Sequence, residues 1–163
     1  MLQFTRFLYT KHPANNLPSL DLFAGLYKLM IKTSCECQNI KVECDSKLLS
    51  RIARQCNCNY CKASQAEYLS DSDSNVTFEI TDFESYRLSQ NGYPIAKLHE
   101  CNNYGVILVT FKVEGQLYCV INAKALRVNG YTLDGTLKDY SNESNEQRLS
   151  RRKNNWFKAV QVT

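Results

Sequence analysis

The 163-residue chain has no apolar run approaching the ~20 residues that a membrane-spanning helix needs. The expectation is a protein with no membrane partner. A secretory signal is missing too. The opening MLQFTRFLYT places Arg6 and two threonines inside a short apolar stretch, and Lys11, His12 and Pro13 follow without a small-residue cleavage site. There is no internal repeat, so a stacked-repeat architecture is set aside. Helical patterning is sparse, which leaves β-structure as the material for a fold. Charge of either sign is not in excess. The net charge of +4 permits an anionic partner without calling for one, and nucleic acid is not expected.

What the chain does have is apolar content and cysteine. Hydrophobic residues make up 44%, enough to bury a core, and the length suits one ordinary domain. The eight cysteines are Cys35, Cys37, Cys44, Cys56, Cys58, Cys61, Cys101 and Cys119. An even count invites a disulfide framework. Without a secretory signal, the expectation is instead a reducing, cytoplasmic compartment, where clustered cysteines more often bind metal. A mitochondrial presequence in residues 1–28 is the lesser alternative. Arg6, Lys11 and Lys28 face only Asp21 there, but Arg, Ser and Thr are few.

Three segments are expected. Residues 1–28, with Pro13, Pro18 and an apolar patch near Leu20, read as an extension or arm. Residues 29–140 read as a mainly β domain. Ile40-Lys41-Val42-Glu43-Cys44 and Val76-Thr77-Phe78-Glu79-Ile80 alternate as half-buried strands do. Residues 106–113 form the most apolar run and predict a central strand, followed by a turn at Glu114-Gly115 and a hairpin partner from Leu117. Residues 48–55 and 62–69 are expected to contribute a few helical turns. Residues 141–163 read as a polar tail anchored only by Trp156 and Phe157.

The cysteine spacing carries chemistry. In Cys35-Glu36-Cys37 an extended backbone points both thiols to one face, where both can reach a zinc ion at ~2.3 Å. Cys56-Asn57-Cys58-Asn59-Tyr60-Cys61 offers three thiols to one ion and leaves a fourth tetrahedral position. That position is either open, as in catalytic zinc sites, or closed by a ligand elsewhere in the chain. The spacing leaves both readings standing. Cys101 is a sixth candidate ligand, and His99, two residues earlier, a seventh. Cys44 and Cys119 lie inside apparent strands and are expected to be buried as small hydrophobes.

Taken together, this pattern resembles the glutathione-dependent formaldehyde-activating enzyme and centromere protein V family. The resemblance rests on Ser34-Cys35-Glu36-Cys37 with Val42, on Cys56-Asn57-Cys58-Asn59-Tyr60-Cys61-Lys62, and on Cys101-Asn102-Asn103-Tyr104-Gly105. Val120-Ile121-Asn122 and Leu133-Asp134-Gly135 add to it more weakly. It covers residues 30–137. It implies a β-tent fold with two zinc sites: a structural one on Cys35, Cys37 and Cys101, and a catalytic one on Cys56, Cys58 and Cys61. The implied reaction is carbon–sulfur bond formation between formaldehyde and glutathione. The chain departs from the family at Tyr104, where a fourth cysteine is expected, at Glu100, where an aromatic residue is usual, and at Gln38, where glycine is common. A phenol, with its pKa of ~10, is a poor zinc ligand at neutral pH.

Two functions follow as expectations. The first is a zinc-dependent carbon–sulfur lyase acting on a small thiol adduct, with glutathione as co-substrate and Lys62 offering charge to it. The second is a non-catalytic zinc domain that binds a protein or nucleic acid through the basic residues Arg148, Arg151, Arg152, Lys153 and Lys158.

Overall fold

The strand alternation seen in the sequence becomes one large sheet. The computed structural model describes residues 29–46, 52–92 and 96–162. The expected arm at 1–28 and the first part of the helical segment at 48–55 lie outside these residues. In chain order the elements are β1 (Leu29–Ser34), β2 (Ile40–Ser46), β3 (Ile52–Cys56), α1 (Asn59–Ser64), β4 (Tyr68–Leu69), β5 (Asn75–Ile80), β6 (Tyr86–Asn91), β7 (Ala96–Cys101), β8 (Gly105–Val113), β9 (Gln116–Asn122), α2 (Ala123–Val128), β10 (Asp134–Lys138), α3 (Asn145–Asn155) and β11 (Phe157–Val162). The protein is mainly β, as its sequence predicts.

β5 shows how the pattern becomes structure. Its residues alternate between exposed and buried along Asn75–Ile80, and Val76 and Phe78 enter the core. β9 differs because both of its faces are covered. Cys119 and Ile121 join one apolar cluster with Phe78, Leu108 and Phe157. Tyr118 and Val120 join a second cluster with Leu98, Val109, Phe111 and Trp156. Two-sided burial explains why the β8–β9 region reads as a nearly continuous apolar run. The hairpin turn falls at Glu114-Gly115, both with positive φ, as the sequence suggests.

Among the described residues the sheet has eleven strands. β1, β2 and β5 pair antiparallel in that order. β6, β7, β8 and β9 form a second antiparallel series. β11 joins the two, running parallel to β5 and antiparallel to β9, with Phe157 opposite Cys119. Beyond β11, the same edge of β9 continues to β4, which pairs with β3, and β3 pairs with β10.

Expectations for three segments are revised here. The segment 141–163, read as a polar tail, forms α3 and then a strand inside the sheet. Most of its polar residues are exposed or half-buried, while Arg152, Trp156, Phe157 and Ala159 are buried. Of the segment 48–55, the residues from Ile52 onward are strand β3, held by parallel pairing with β10. In the segment 62–69 the helix is α1, which starts earlier and stops at Ser64, where Gln65 turns left-handed at φ 51°.

Candidate metal centres

Six of the eight cysteines gather into two triads. Within each, the three sulfurs lie within 4.8 Å of one another. A tetrahedron with ~2.3 Å zinc–sulfur arms has edges of ~3.8 Å, so both triads match the chemistry of a thiolate zinc site. All eight thiols are free of disulfides.

The first triad is built by two turns. Cys35 and Cys37 occupy the β1–β2 turn, where Gln38 N–H donates to the Cys35 carbonyl at 2.9 Å and Ile40 N–H donates to Cys35 Sγ at 3.2 Å. Gln38 adopts φ 56°, a backbone conformation that suits glycine. Cys101 ends β7, and the turn back into β8 is closed by Tyr104 N–H donating to the Cys101 carbonyl at 3.2 Å. The sulfur separations are 3.4 Å for Cys35–Cys37 and 3.3 Å for Cys37–Cys101. Burial pushes the Cys35 thiol up to about 11, whereas the Asn39 backbone N–H lowers exposed Cys37.

Tyr104 shares this corner. Its hydroxyl is buried and has no hydrogen-bond partner. Burial raises its pKa first, and the charges of Glu36 and Cys35 add to the effect. Lys124 sits 5.3 Å from its ring centroid. Such an orphaned hydroxyl costs about 1–3 kcal/mol. The donor set is thus three sulfurs, and the turn that carries Cys101 also carries one buried, unsatisfied hydroxyl.

His99 does not join this triad. Its Nδ1 lies 3.0 Å from the Tyr86 hydroxyl and its Nε2 lies 2.8 Å from the Thr110 hydroxyl. The ring is buried at 4% exposure, and desolvation holds its pKa down to about 4. Two strand partners therefore occupy both nitrogens, and the expectation of a histidine ligand is corrected. Alternation along β7 gave no warning, since it places His99 and Cys101 on one face, and the register shift between His99 and Glu100 is not visible in the sequence. Glu100 is likewise buried, and it accepts from Arg87 and Ser89 on β6.

The second triad sits where β3 gives way to α1. Cys56 closes β3. Cys58 is the N-cap of α1, with its sulfur accepting from Cys61 N–H at 3.4 Å. Cys61 lies one turn into the helix and is buried. The Cys56–Cys58 sulfur separation is 3.0 Å. Hydrogen bonding from Cys61, and then from Cys58, draws the Cys56 thiol down to about 5, helped by the charge of Arg151. The same Cys56 contact and burial push Cys61 up.

This triad opens into a cavity of about 340 Å³. Cys56, Cys58 and Cys61 form part of its wall, and Tyr60, Tyr68 and Trp156 supply aromatic surface. Leu98, Val109 and Val120, from the second apolar cluster, form its dry floor. Arg54 of β3 and Arg148, Arg151 and Arg152 of α3 also line it. Lys62 does not line it and is exposed on α1, so the charge expected from Lys62 comes from arginines instead.

The arginine wall escapes the sequence reading because α3 does. The missed signal is Ser144-Asn145-Glu146-Gln147, a capping box in which Gln147 N–H donates to Ser144 Oγ at 3.2 Å and Ser144 N–H donates to Gln147 Oε1 at 2.8 Å. Leu149, Arg152 and Trp156 then recur at helical spacing. Arg151 donates to Glu143 at 2.6 and 2.9 Å and stacks 3.7 Å over Tyr140. Cys44 and Cys119 are fully buried and belong to neither triad, as expected for small core residues.

Among the described residues no helix is long and apolar enough to cross a membrane. No family model, curated protein or solved structure matches the chain.

Proposed function

We propose that the protein is a zinc-binding enzyme of the glutathione-dependent formaldehyde-activating type, with Cys56, Cys58 and Cys61 as its catalytic ligands. The observation that carries this reading is that one sulfur triad opens into a cavity while the other is packed in a strand corner. Three ligands beside a cavity leave room for a substrate donor, whereas a triad that joins two turns, with Cys35 and Cys101 buried, suits a structural role. Cys35, Cys37 and Cys101 would hold the structural ion, tying the β1–β2 turn to the end of β7.

Zinc bound by Cys56, Cys58 and Cys61 would supply Lewis acidity and stabilise a substrate sulfur as thiolate. The rest is the work of the chain. Leu98, Val109 and Val120 exclude water from the floor, which strengthens every polar interaction above it. Tyr60 and Tyr68 keep their phenols protonated, burial being the first cause in each, and so remain hydroxyl donors at neutral pH. In the reaction the glutathione sulfur forms a bond to the formaldehyde carbon. The carbonyl π bond breaks, and the thiol proton ends on the new hydroxyl. The reverse elimination is the lyase direction.

The alternative, a non-catalytic domain gripping a macromolecule with its basic tail, has less support. Arg148, Arg151 and Arg152 line the small cavity rather than an open face.

Native mass spectrometry should find two zinc ions per chain in the wild type and one in Cys58→Ser. Cobalt-substituted protein should change its sulfur-to-cobalt absorption when glutathione is added, and zinc-loaded protein should form the formaldehyde–glutathione adduct faster than a metal-stripped control. Zinc-loaded protein that neither binds glutathione nor accelerates the adduct would rule this function out.

A further inference from the structure

The strand path ends on an uncovered edge. β10 is its last strand, and among the described residues it pairs only with β3. All of its residues are exposed except half-buried Thr136, and Leu137 is 65% exposed. Such an edge is a template for another strand. The outer edges of β1 and β6 are handled differently. On β1, Lys32 N–H donates to the Tyr131 hydroxyl at 3.0 Å and the Ser34 carbonyl accepts from the Asn129 side chain at 3.2 Å, so residues just after α2 cap that edge. β6 runs Tyr86-Arg87-Leu88-Ser89-Gln90-Asn91 and holds no acid that could meet its own Arg87 in a second copy. Arg87 is already paired with Glu100.

One hydrogen bond fixes which groups of β10 face the edge. The Lys138 carbonyl accepts from Asn57 N–H at 3.0 Å, so Lys138 turns its backbone polar groups toward β3. Residues two apart point the same way along a strand, so Asp134 and Thr136 do likewise. Gly135 and Leu137 therefore turn their N–H and C=O groups toward the uncovered edge.

The sequence Asp134-Gly135-Thr136-Leu137-Lys138 is self-complementary about Thr136. When a second copy lies antiparallel with Thr136 on a two-fold axis, Gly135 of each copy meets Leu137 of the other. These are the outward-facing residues, so each such pair exchanges both of its backbone hydrogen bonds. Gly135 brings no side chain to compete with Leu137. Asp134 of each copy then stands opposite Lys138 of the other, an opposite-charge pair at either end. Sliding the copies by one residue would set outward groups against inward ones. Hydrogen-bond parity and charge thus select the same register.

We propose that β10 is a homodimer interface, at which two copies of this chain join edge to edge into one continuous sheet across a two-fold axis. β3, which ends at Cys56, is the next strand in, so the two cysteine-lined cavities flank the axis. The inference does not depend on the reaction proposed above. An interface built on one short strand belongs to the small, reversible class, so the dimer forms in proportion to concentration.

Sedimentation velocity of zinc-loaded full-length protein from ~5 to ~500 µM should show the dimer share rising with concentration. Asp134→Lys and Lys138→Asp each set like charges opposite one another at both ends of the interface, and each should weaken the dimer ~10-fold or more. The double exchange, Asp134→Lys with Lys138→Asp, restores opposite charges and should return the affinity to within ~3-fold of wild type. Leu137→Pro removes an N–H that faces the edge and not β3, so circular dichroism should be unchanged while the dimer is lost. If the proline variant fails to fold, the charge exchange decides alone. Amide hydrogen exchange should slow at Gly135 and Leu137 as concentration rises, with no change at Thr136, whose N–H faces β3.

A monomer throughout this concentration range would overturn the proposal. So would a dimer that ignores both single charge reversals, or single reversals that the double exchange does not rescue, because either places the interface elsewhere on the molecule.

Discussion

Replacing Phe157 with alanine tests whether the last strand holds the sheet together. Phe157 is 0% exposed and lies opposite Cys119, in the strand that joins β5 to β9. Removing a fully buried phenyl ring forfeits its transfer free energy and leaves a cavity, about 3–5 kcal/mol in well-packed cores. Domains of this size are stable by about 5–15 kcal/mol, so a large fraction of the total is at stake. With a urea dependence of about 2 kcal/mol per molar, the unfolding midpoint should fall by ~1.5–2.5 M. Phe157→Leu keeps most of the volume and should lose less than ~2 kcal/mol, which gives a measurable variant if alanine prevents folding. Val160 lies in the same strand at 60% exposure. Val160→Thr should stay within about 0.5 kcal/mol of wild type. The measurement is urea unfolding of zinc-loaded protein, followed by circular dichroism and by Trp156 fluorescence. If Phe157→Ala and Val160→Thr unfold at the same midpoint as wild type, β11 is not part of the core and residues 141–163 are the polar tail that their composition suggests.

Three further outcomes are expected. With a chelator present, iodoacetamide should modify exposed Cys37 and Cys58 quickly while Cys44 and Cys119 stay unmodified until unfolding; peptide mass spectrometry reads this, and early labelling of Cys119 would contradict its burial. Tyr104→Cys should remove the orphaned hydroxyl and add a thiolate, tightening zinc at the Cys35, Cys37 and Cys101 centre by ~10-fold or more. That corresponds to about 1.4 kcal/mol and a rise of ~3–6 °C in melting temperature; no change in either zinc affinity or melting would show that this corner takes no metal. His99→Ala should destabilise the fold by ~2–4 kcal/mol, because the buried Tyr86 and Thr110 hydroxyls lose their partner, while zinc per chain stays the same; a drop in zinc would restore the histidine as a ligand.

Local patterning made much of this molecule legible. Val76-Thr77-Phe78-Glu79-Ile80 alternates because one face of β5 is exposed, and Glu114-Gly115 marks the β8–β9 hairpin because both residues take positive φ. The Cys35–Cys37 pair and the Cys56, Cys58 and Cys61 triad could be read from spacing, since a turn or a helix start brings near neighbours together without help from distant residues. Pairing Cys37 with Cys101 across 64 residues needed the family resemblance. What stayed hidden was non-local. β11 is short and mostly polar, and its place between β5 and β9 depends on pairing with strands far away in sequence. His99 has the composition of a ligand, but it lost that role to Tyr86 and Thr110 on the adjacent strands. The arginines of α3 read as a solvated run because, although Trp156 lies only four residues on, the Phe111 ring beside Arg152 comes from a strand far away in sequence.

The position of β11 also bears on how the chain reaches this state. It follows every other strand in sequence, yet it fills the gap between two strand series formed by much earlier residues. Until residues 157–162 are available, β5 keeps a bare edge and β9 keeps half of one. Each is an open row of backbone donors and acceptors next to apolar side chains, the feature that invites strand addition from another molecule. Folding should therefore be slow, as closure of non-local strand pairs is. Yield on refolding should fall with protein concentration more steeply than stability alone would suggest. A nascent chain of this protein has two half-sheets waiting for their keystone.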